Sequence, residues 1–455
     1  MKRSAWRYLW TAHDIRRKLL ITLLLMAIYR LAAHVPVPGA NRDALANLLS
    51  GQATGGQAAG TLVGILDLLS GGTVSNFSVL AMGVYPYITA QIILQLLVPI
   101  VPAWQKRMEE DPREGQKWQE KWTYILSIPM AALQAIGQIQ SFSYLANQPI
   151  IANFGLFDAN WLSSWAIVFA MTAGTMFGIW LGELISEYGI RNQGLSLIIF
   201  AGIVAQIPNN VRRLVVGAQD KWPIVLILLA AFVVLVILAI VVVQQGRRNV
   251  PVMYPGRRVG RGMSMPVKGT LPLMVNMAGM IPIIFAQSLL TFPSIIAGFF
   301  LGSSIEWVKT FATGVYTTFG GSGNAYWIMY FLMVVGFTFF YTDVIFMQQN
   351  YGENLKKMGA QIPGVARGAP TQRYLTRVLR RITLPGAIFL GLVSVMPVLV
   401  TGLLSLVGVS LGSQAGLLLV SSSGMLIVVG VVRDTFFNID AELKLRGYED
   451  ARLVR

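Results

Sequence analysis

Residues that could carry proton, metal or covalent chemistry are few in this sequence. It holds no cysteine and only two histidines, His13 and His34, which excludes disulfides, thiolate metal sites and histidine metal clusters. Ionisable side chains inside apolar segments mark ion and proton pathways in carriers. The acidic residues in or beside such segments are Asp67, Glu183, Glu187 and Asp343. None lies near the centre of a long apolar segment, which argues against a proton-coupled carrier and predicts no metal, no cofactor and no enzyme.

Prolines inside apolar segments are more informative. Pro86 lies in Met82-Gly83-Val84-Tyr85-Pro86-Tyr87-Ile88, Pro282 lies in Gly279-Met280-Ile281-Pro282-Ile283-Ile284, and Pro397 is a third. A proline within a span removes a backbone hydrogen bond and kinks the helix. One interpretation is a set of kinked packing helices, which any membrane bundle can contain. The other is a pair of broken helices facing each other across a path, at equivalent positions of an inverted repeat.

The composition indicates that these residues are positioned by helices in lipid. Hydrophobic residues make up 55% of the 455 positions and charged residues 12%, against roughly 25% charged residues in soluble domains. A soluble protein of this composition would expose large apolar patches. The first apolar stretch, 19–37, follows the basic start Met1-Lys2-Arg3 without a small-residue cleavage site, which indicates a retained span.

Ten apolar segments are candidates for membrane spans. They are 19–37, 77–101, 122–145, 165–184, 195–207, 222–243, 271–299, 326–347, 382–404 and 416–432. Backbone polar groups must be paired inside lipid, so these segments are predicted to be helical. Segment 195–207 is too short to cross about 30 Å at about 1.5 Å per residue. It needs help from residues 188–190 or from burial inside the bundle.

The basic residues support ten crossings with both termini in the cytoplasm. Of the 36 lysines and arginines, those that fall outside the cytoplasmic side in this arrangement are Arg30, Arg42, Arg212, Arg213, Lys221 and Lys309. The predicted organisation, in chain order, is a cytoplasmic N-terminus (1–18), an N-terminal half with spans one to five (19–208), a C-terminal half with spans six to ten (209–432) and a cytoplasmic tail (433–455).

Two long cytoplasmic loops, 244–270 and 348–381, are strongly basic. The first contains Arg257-Arg258-Val259-Gly260-Arg261-Gly262, and the second ends in Arg380-Arg381. One interpretation treats them as topology determinants only. The other treats them as docking sites for a large cytoplasmic partner, RNA-bearing or not. Their length favours docking, since orientation alone needs only short loops.

A short apolar stretch, 61–72, precedes the second span and ends in Gly71-Gly72. It is too short to cross the membrane. It is either an interfacial helix on the outer face or a short helix folded back into the bundle.

Taken together, these segments resemble the SecY family over nearly the whole chain. The motifs that carry the resemblance are Ala81-Met82-Gly83-Val84-Tyr85-Pro86-Tyr87-Ile88, Gln95-Leu96-Leu97, Ile198-Ile199-Phe200-Ala201-Gly202-Ile203-Val204-Ala205, Val275-Asn276-Met277-Ala278-Gly279-Met280-Ile281-Pro282, Asn354-Leu355-Lys356-Lys357 and Leu445-Arg446-Gly447-Tyr448. Two motifs depart from the family pattern: Gly189-Ile190-Arg191-Asn192-Gln193-Gly194 is longer by one residue, and Arg367 is displaced by one position in Pro363-Gly364-Val365-Ala366-Arg367-Gly368.

The resemblance implies an all-α integral membrane channel of ten transmembrane helices, in two pseudo-symmetric five-helix halves around a central pore. The family's apolar pore ring matches Val84, Ile88, Ile203, Ile281, Ile284 and Ile427. Its plug helix matches 61–72, with Leu62, Ile65, Leu66, Asp67, Leu69, Gly71 and Gly72. A lateral gate between spans two and three and spans seven and eight would carry Gln95 and Asn276.

The resemblance also implies partners and a location. The SecA motor and the ribosome would dock on Arg257, Arg258, Arg261, Arg367 and Arg373. Further partners would be SecE-like and SecG-like small membrane subunits, the translocating polypeptide with its signal sequence, and lipid, in the bacterial inner membrane. A channel is therefore expected. A secondary transporter with an inverted repeat is the alternative, and a structural scaffold is disfavoured by the paired proline-broken helices.

Overall fold

The computed structural model describes residues 13–41, 73–74, 77–98, 100–146, 149–151, 154–155, 161–191, 193–217, 222–255, 258–259, 262–263, 267–301, 305–320, 324–349, 351–406 and 415–445. These ranges are mainly helical. In chain order the elements are α1 (His13–Ala32), α2 (Tyr85–Leu97), α3 (Pro102–Glu110), α4 (Pro112–Ala146), α5 (Trp161–Tyr188), α6 (Gly194–Gly217), α7 (Trp222–Gln245), β1 (Arg247–Tyr254), β2 (Arg258–Val259), β3 (Gly262–Met263), β4 (Val267–Met274), α8 (Ile281–Phe300), α9 (Glu306–Phe319), α10 (Asn324–Gln348), α11 (Tyr351–Lys357), α12 (Ala369–Leu406) and α13 (Ala415–Leu445).

Each predicted span contains or overlaps one helix of 13 to 38 residues. The ten helices in question are α1, α2, α4, α5, α6, α7, α8, α10, α12 and α13. Five helices in the described part of the chain are long and apolar enough to cross a membrane, and a sixth span is formed if α2 and α3, bent by 100°, are counted together. The length and apolarity of these helices fit a chain that crosses the membrane several times.

The prolines of the second and seventh spans lie at the starts of helices. They do not kink continuous helices, which was one of the two interpretations of the sequence. Pro86 is the second residue of α2 and Pro282 is the second residue of α8. A proline is tolerated there because the first helical N–H groups have no partner inside the helix. Gly83 and Gly279, each three residues earlier, have φ of 52° and 65°, a conformation open to glycine at no steric cost. Both predicted spans therefore contain less helix than expected.

A turn takes the place of the missing first part of the second span. The Val37 N–H donates to the Phe77 oxygen at 3.0 Å, and the Val79 N–H donates to the Val35 oxygen at 3.0 Å. A bridge between Pro36 and Ser78 lies between them. The stretch 77–84 is thus tied by backbone hydrogen bonds to the chain that follows α1.

The fifth span is longer than predicted. Segment 195–207 was expected to need help from residues 188–190, but α6 begins at Gly194 and gains its length at the other end. It continues through Pro208 to Gly217, 24 residues in all, or about 36 Å. The apolar pattern ended at residue 207 because Pro208-Asn209-Asn210 follows it, and the helix tolerates that interruption.

The described residues divide into two compact units. The first comprises Met1–Leu228, Gln287–Trp327 and Pro397–Arg455. Within it, α2 and α5 pack against α4, α1 and α5 pack against α6, and α13 packs against α6. The second unit comprises Leu229–Ala286 and Ile328–Met396. The division into sequence halves at 19–208 and 209–432 stays a prediction.

Candidate channel lining, helix seam and docking module

The residues predicted to form the pore ring are aliphatic and mostly buried. In the first unit, Val84, Ile88 and Ile427 are buried and Ile203 is half-buried; in the second unit, Ile284 is buried and Ile281 is half-buried. Val84 immediately precedes α2, and its carbonyl accepts a hydrogen bond from the Ile88 N–H at 3.2 Å. Ile203 and Ile427 lie on α6 and α13, which pack against each other.

The start of α2 is fixed to α8 by a buried tyrosine. The Tyr85 hydroxyl donates to the backbone oxygen of Ser288 at 3.0 Å. Ser288 belongs to the part of α8 that lies in the first unit. This hydrogen bond links the start of α2, in the second span, to α8, in the seventh span.

A stripe of buried polar side chains lies on each of the helices α4 and α8, and we call the two stripes the seam. Its members on α4 are Gln134, Gln138 and Ser141, and its members on α8 are Gln287, Thr291 and Ser294. On each helix the spacing is i, i+4, i+7, which places the three residues on one face. The Gln134 amide also donates to the Thr89 hydroxyl of α2 at 3.2 Å. Sequence reasoning missed this set, although its helical spacing within apolar segments was visible.

The seam is incompletely hydrogen-bonded. Among the described residues, the Gln134 and Gln138 carbonyl oxygens and the Ser141 and Ser294 hydroxyls are buried without a hydrogen-bond partner. A small cavity of about 20 Å³ lies beside the glutamines, lined by Ala81, Met82, Tyr85, Gln134, Gln138 and Ile295. Leaving a buried polar group unpaired costs about 1–3 kcal/mol. The seam is therefore less strongly closed than an apolar contact of equal area.

Two glycines let α4 and α8 approach closely along the seam. A Cβ added at Gly137 would lie 2.7 Å from the Ile295 Cγ2 and 3.2 Å from the Ile295 backbone oxygen. A Cβ added at Gly298 would overlap the Ser141 hydroxyl and lie 3.4 Å from the Gly137 oxygen. The two helices are in backbone contact here, and no larger residue fits at either position without movement.

The predicted gate residues are not members of the seam. Gln95 is half-buried near the end of α2, and its side-chain oxygen is buried without a partner among the described residues. Asn276 is buried in the turn before α8, and its amide donates to the Gly279 oxygen at 3.0 Å. Asn276 therefore stabilises the positive-φ turn that starts the seventh span, a local role that its sequence position did not indicate.

The two basic loops fold together, and we call residues 247–274 and 349–381 the basic module. Strands β1 and β4 form an antiparallel hairpin whose register runs from Arg247 opposite Met274 to Tyr254 opposite Val267. The second loop joins this hairpin through Met253 and Gln361, whose backbone groups exchange hydrogen bonds of 2.8 and 2.9 Å. The predicted seventh span, 271–299, is wrong at its start, because residues up to Met274 belong to β4.

The basic module has its own apolar core. The buried residues are Val250, Val252, Leu273, Phe346, Leu355, Ala360, Ile362, Leu375 and Leu379. They come from the hairpin, from the end of α10, from α11, from the segment between α11 and α12, and from the first part of α12. Because both loops contribute to one core, their described parts form a single scaffold.

A sequence profile of the SecY family matches residues 78–436. The protein translocase subunit SecY of Halalkalibacterium halodurans is 38% identical over 450 residues, covering 96% of both chains. The corresponding subunit of Chlamydia trachomatis is 37% identical over 462 residues, covering 97% of this chain and 96% of that one. The chain belongs to the SecY family.

Solved structures give the same fold. One described as a protein-conducting channel aligns with a TM-score of 0.60 at 17% identity, covering 96% of this chain and 94% of that one. A second, in which the SecY plug domain is reported to stabilise the closed state, aligns with a TM-score of 0.57. The resemblance expected from the sequence is confirmed, as is the fold class of an all-α, multi-pass membrane channel, with the β-hairpin of the basic module as an addition.

The basic module of this SecY-family chain carries only part of the predicted docking set in the described residues. Arg367 is exposed in the turn before α12, and Arg373 is exposed near the start of α12. Arg258 lies in β2, opposite Met263. Arg257 and Arg261 lie outside the described residues, as does the whole predicted plug, 61–72.

A further arginine of the module, Arg380, is paired with a carboxylate outside it. Arg380 donates to the Asp343 carboxylate of α10, with its Nη2 at 2.8 Å from Oδ2. The sequence analysis placed Asp343 near the end of a predicted span. In the structure, its pairing with Arg380 links α10 to α12.

Proposed function

We propose that this chain is the channel subunit of a Sec-type protein translocase, through which unfolded secretory polypeptides cross the membrane and from which apolar segments leave sideways into lipid. The observation that carries the proposal is the near full-length similarity to protein translocase subunits named SecY, at 38% identity over 96% of the chain. Two helices that begin at Gly-x-x-Pro turns, α2 and α8, support it because they are suited to lining a path.

The pore ring is proposed from the resemblance to the SecY family. Val84, Ile88, Ile203, Ile281, Ile284 and Ile427 are proposed to close around a translocating backbone. A channel for polypeptides meets every kind of side chain, so a fixed polar site would retain some of them. Branched aliphatic side chains bind an extended chain weakly, and they keep an idle constriction dry and resistant to ions.

The seam is proposed as the lateral gate. It joins α2 and α4 to α8, and its unpaired glutamine and serine groups would gain hydrogen bonds to water or to a polypeptide when the helices separate. Gln95 and Asn276 are proposed as polar residues of the gate because they match such residues of the SecY family. The tight glycine contacts at Gly137 and Gly298 favour the closed state, so that opening is opposed by packing and favoured by polar groups.

The basic module is proposed as the docking surface for the SecA motor and the ribosome. Exposed Arg367 and Arg373 project from a scaffold with its own core, and a fixed constellation of arginines suits recognition of carboxylates and phosphates. This assignment requires the module and both termini to face the cytoplasm of a bacterial cell, with the channel in the inner membrane.

The other partners are proposed from family membership. SecE-like and SecG-like small subunits would complete the complex, and the plug at 61–72 would close the pore from outside. Cysteines placed at Leu66 and Ile427 should crosslink in the idle channel and less so during translocation, with no background because the chain has no native cysteine. An unchanged idle conductance after deletion of 61–72, together with no crosslink, would return this segment to the membrane surface.

The whole proposal is tested by reconstitution. The chain would be purified with whatever small membrane subunits accompany it and placed in lipid vesicles with a SecA-type motor, ATP and an unfolded precursor. We expect the precursor to become protected from external protease only when ATP is present. A complex that brings down no small subunits and protects no precursor would refute the assignment. The variant Ile427→Asn tests the constriction separately, because a polar side chain at this position should hydrate it and relax the rejection of defective signal sequences.

A further inference from the structure

Helix α9 connects the seventh and eighth spans and cannot itself cross the membrane. It has 14 residues, or about 21 Å, against a hydrocarbon thickness of about 30 Å. Only five residues separate it from the end of α8 at Phe300, and only four separate it from the start of α10 at Asn324. Five extended residues reach at most about 20 Å. The helix is therefore held close to the membrane boundary at both ends.

One face of α9 is packed and another is openly apolar. Ala312 and Tyr316 are buried. Trp307 is 74% exposed and Phe311 is 70% exposed, and their i, i+4 spacing places the two rings together on the helix surface. Gly314 continues the same line at i+7, and a Cβ added there would meet nothing within 4 Å. We call Trp307, Phe311 and Gly314 the aromatic stripe.

The polar groups beside the aromatic stripe are turned back into the helix. The Thr310 hydroxyl donates to the Glu306 oxygen at 2.9 Å, and the Thr318 hydroxyl donates to the Gly314 oxygen at 2.8 Å. Both residues are exposed, yet each satisfies its hydroxyl with its own backbone and leaves its methyl group outside. Such a surface does not require water.

Large apolar residues are also exposed between the end of the preceding span and α9. Phe300, the last residue of α8, is 50% exposed, and Ile305, which precedes α9, is 52% exposed. Aromatic residues are enriched at the headgroup level of membranes, where their rings are amphipathic. Lys309 is exposed on the same helix and can extend to lipid phosphates. Exposed rings, back-bonded threonines and closeness to the bilayer all fit a single occupant, which is lipid.

We propose that α9 lies in the membrane surface, with Trp307 and Phe311 inserted among lipid headgroups and upper acyl chains. A helix docked on the bilayer in this way fixes the connection between the seventh and eighth spans relative to the membrane plane. The proposal rests on the position of α9 and not on what passes through the channel, so it can hold or fail independently of the proposed function.

The test uses a single nitroxide label, which the absence of native cysteine permits. The full complex would carry Phe311→Cys or, as the matched control, Thr317→Cys. Thr317 is also exposed on α9 but lies about 120° around the axis from position 311. In vesicles of phosphatidylethanolamine and phosphatidylglycerol, collision rates with oxygen and with a water-soluble nickel chelate report the depth of each label.

A label at 311 is expected about 5–10 Å below the headgroup surface, and a label at 317 is expected in water. Equal exposure of both labels to the nickel chelate would overturn the proposal. Protection of 311 from both reagents would also overturn it, and would assign the stripe to a protein. Dipolar broadening of the 311 label would then identify a second copy of this chain, and its absence a partner subunit.

Discussion

Replacing Gly137 with alanine should shift the seam toward its open state. The added Cβ would lie 2.7 Å from the Ile295 Cγ2, 3.0 Å from the Phe299 Cε2 and 3.2 Å from the Ile295 backbone oxygen. Because one of these neighbours is backbone, a side-chain rotation on α8 cannot relieve all three contacts. Overpacking of this kind costs about 1–3 kcal/mol. At about 1.4 kcal/mol per factor of ten, the ratio of closed to open seam should fall by about 5-fold to 150-fold.

The assay is export of a reporter whose signal sequence is defective, together with the ion conductance of the idle channel in planar bilayers. Both are expected to rise in Gly137→Ala. The matched control is Gly336→Ala, a glycine-to-alanine change in the apolar helix α10 where the added Cβ would meet nothing within 4 Å. It gives the same gain in helix propensity, about 1 kcal/mol, without a new contact across the seam.

A second substitution distinguishes a packing effect from a general loss of stability. Ile295→Ala removes the side chain nearest to the added Cβ, so the double variant Gly137→Ala, Ile295→Ala should recover part of the rejection of defective signals. Rejection and conductance like those of the unaltered chain in Gly137→Ala would refute the reasoning, as would an equal rise in the Gly336→Ala control.

Three further changes probe the ring and the basic module. Ile88→Asn should relax rejection of defective signal sequences, because a polar side chain would hydrate a dry constriction; rejection that stays intact would remove Ile88 from the ring. Arg373→Glu should weaken binding of the SecA motor or the ribosome, most strongly at low salt, as measured by cosedimentation with vesicles. The control is Arg380→Gln, which should change binding less because Arg380 is already paired with Asp343. Leu375→Ala should destabilise the module by about 2–5 kcal/mol because Leu375 is 0% exposed. Proteolysis of the module should therefore accelerate while membrane insertion continues. Unchanged proteolysis would contradict the shared core.

The spans were predictable because lipid enforces one rule over many residues: an apolar stretch must be helical. The same rule misjudged the helix starts. Pro86 and Pro282 lie inside apolar stretches, and whether the chain before them is helix or turn depends on tertiary partners such as Val35 and Val37. A hydropathy profile does not distinguish helix from turn, because Gly83 and Gly279 have the same hydropathy in either conformation.

The basic module could not be read from the sequence for a different reason. Its charges were evident, but its core joins Val250 and Leu273 to Leu355 and Leu375 across about a hundred residues, and such pairing leaves no local signal. The seam, in contrast, could have been predicted from the sequence. Gln134 and Gln138 stand one helical turn apart within an apolar segment, a spacing that marks a helix contact. The close approach of α4 and α8 at Gly137 could not be predicted, because the sequence does not show which helix packs against this glycine.

The short second span has a consequence for how the protein itself enters the membrane. Helix α2 has 13 residues, about 20 Å, which is too short to be stable across a bilayer alone. The turn before it leaves backbone groups that lipid cannot satisfy, and the partners they find, Val35 and Val37, lie just after α1. The second span is complete only when the first is already beside it. Biogenesis of the chain is therefore ordered from its N-terminal end, and a nascent chain that lost its first span would lose the second with it.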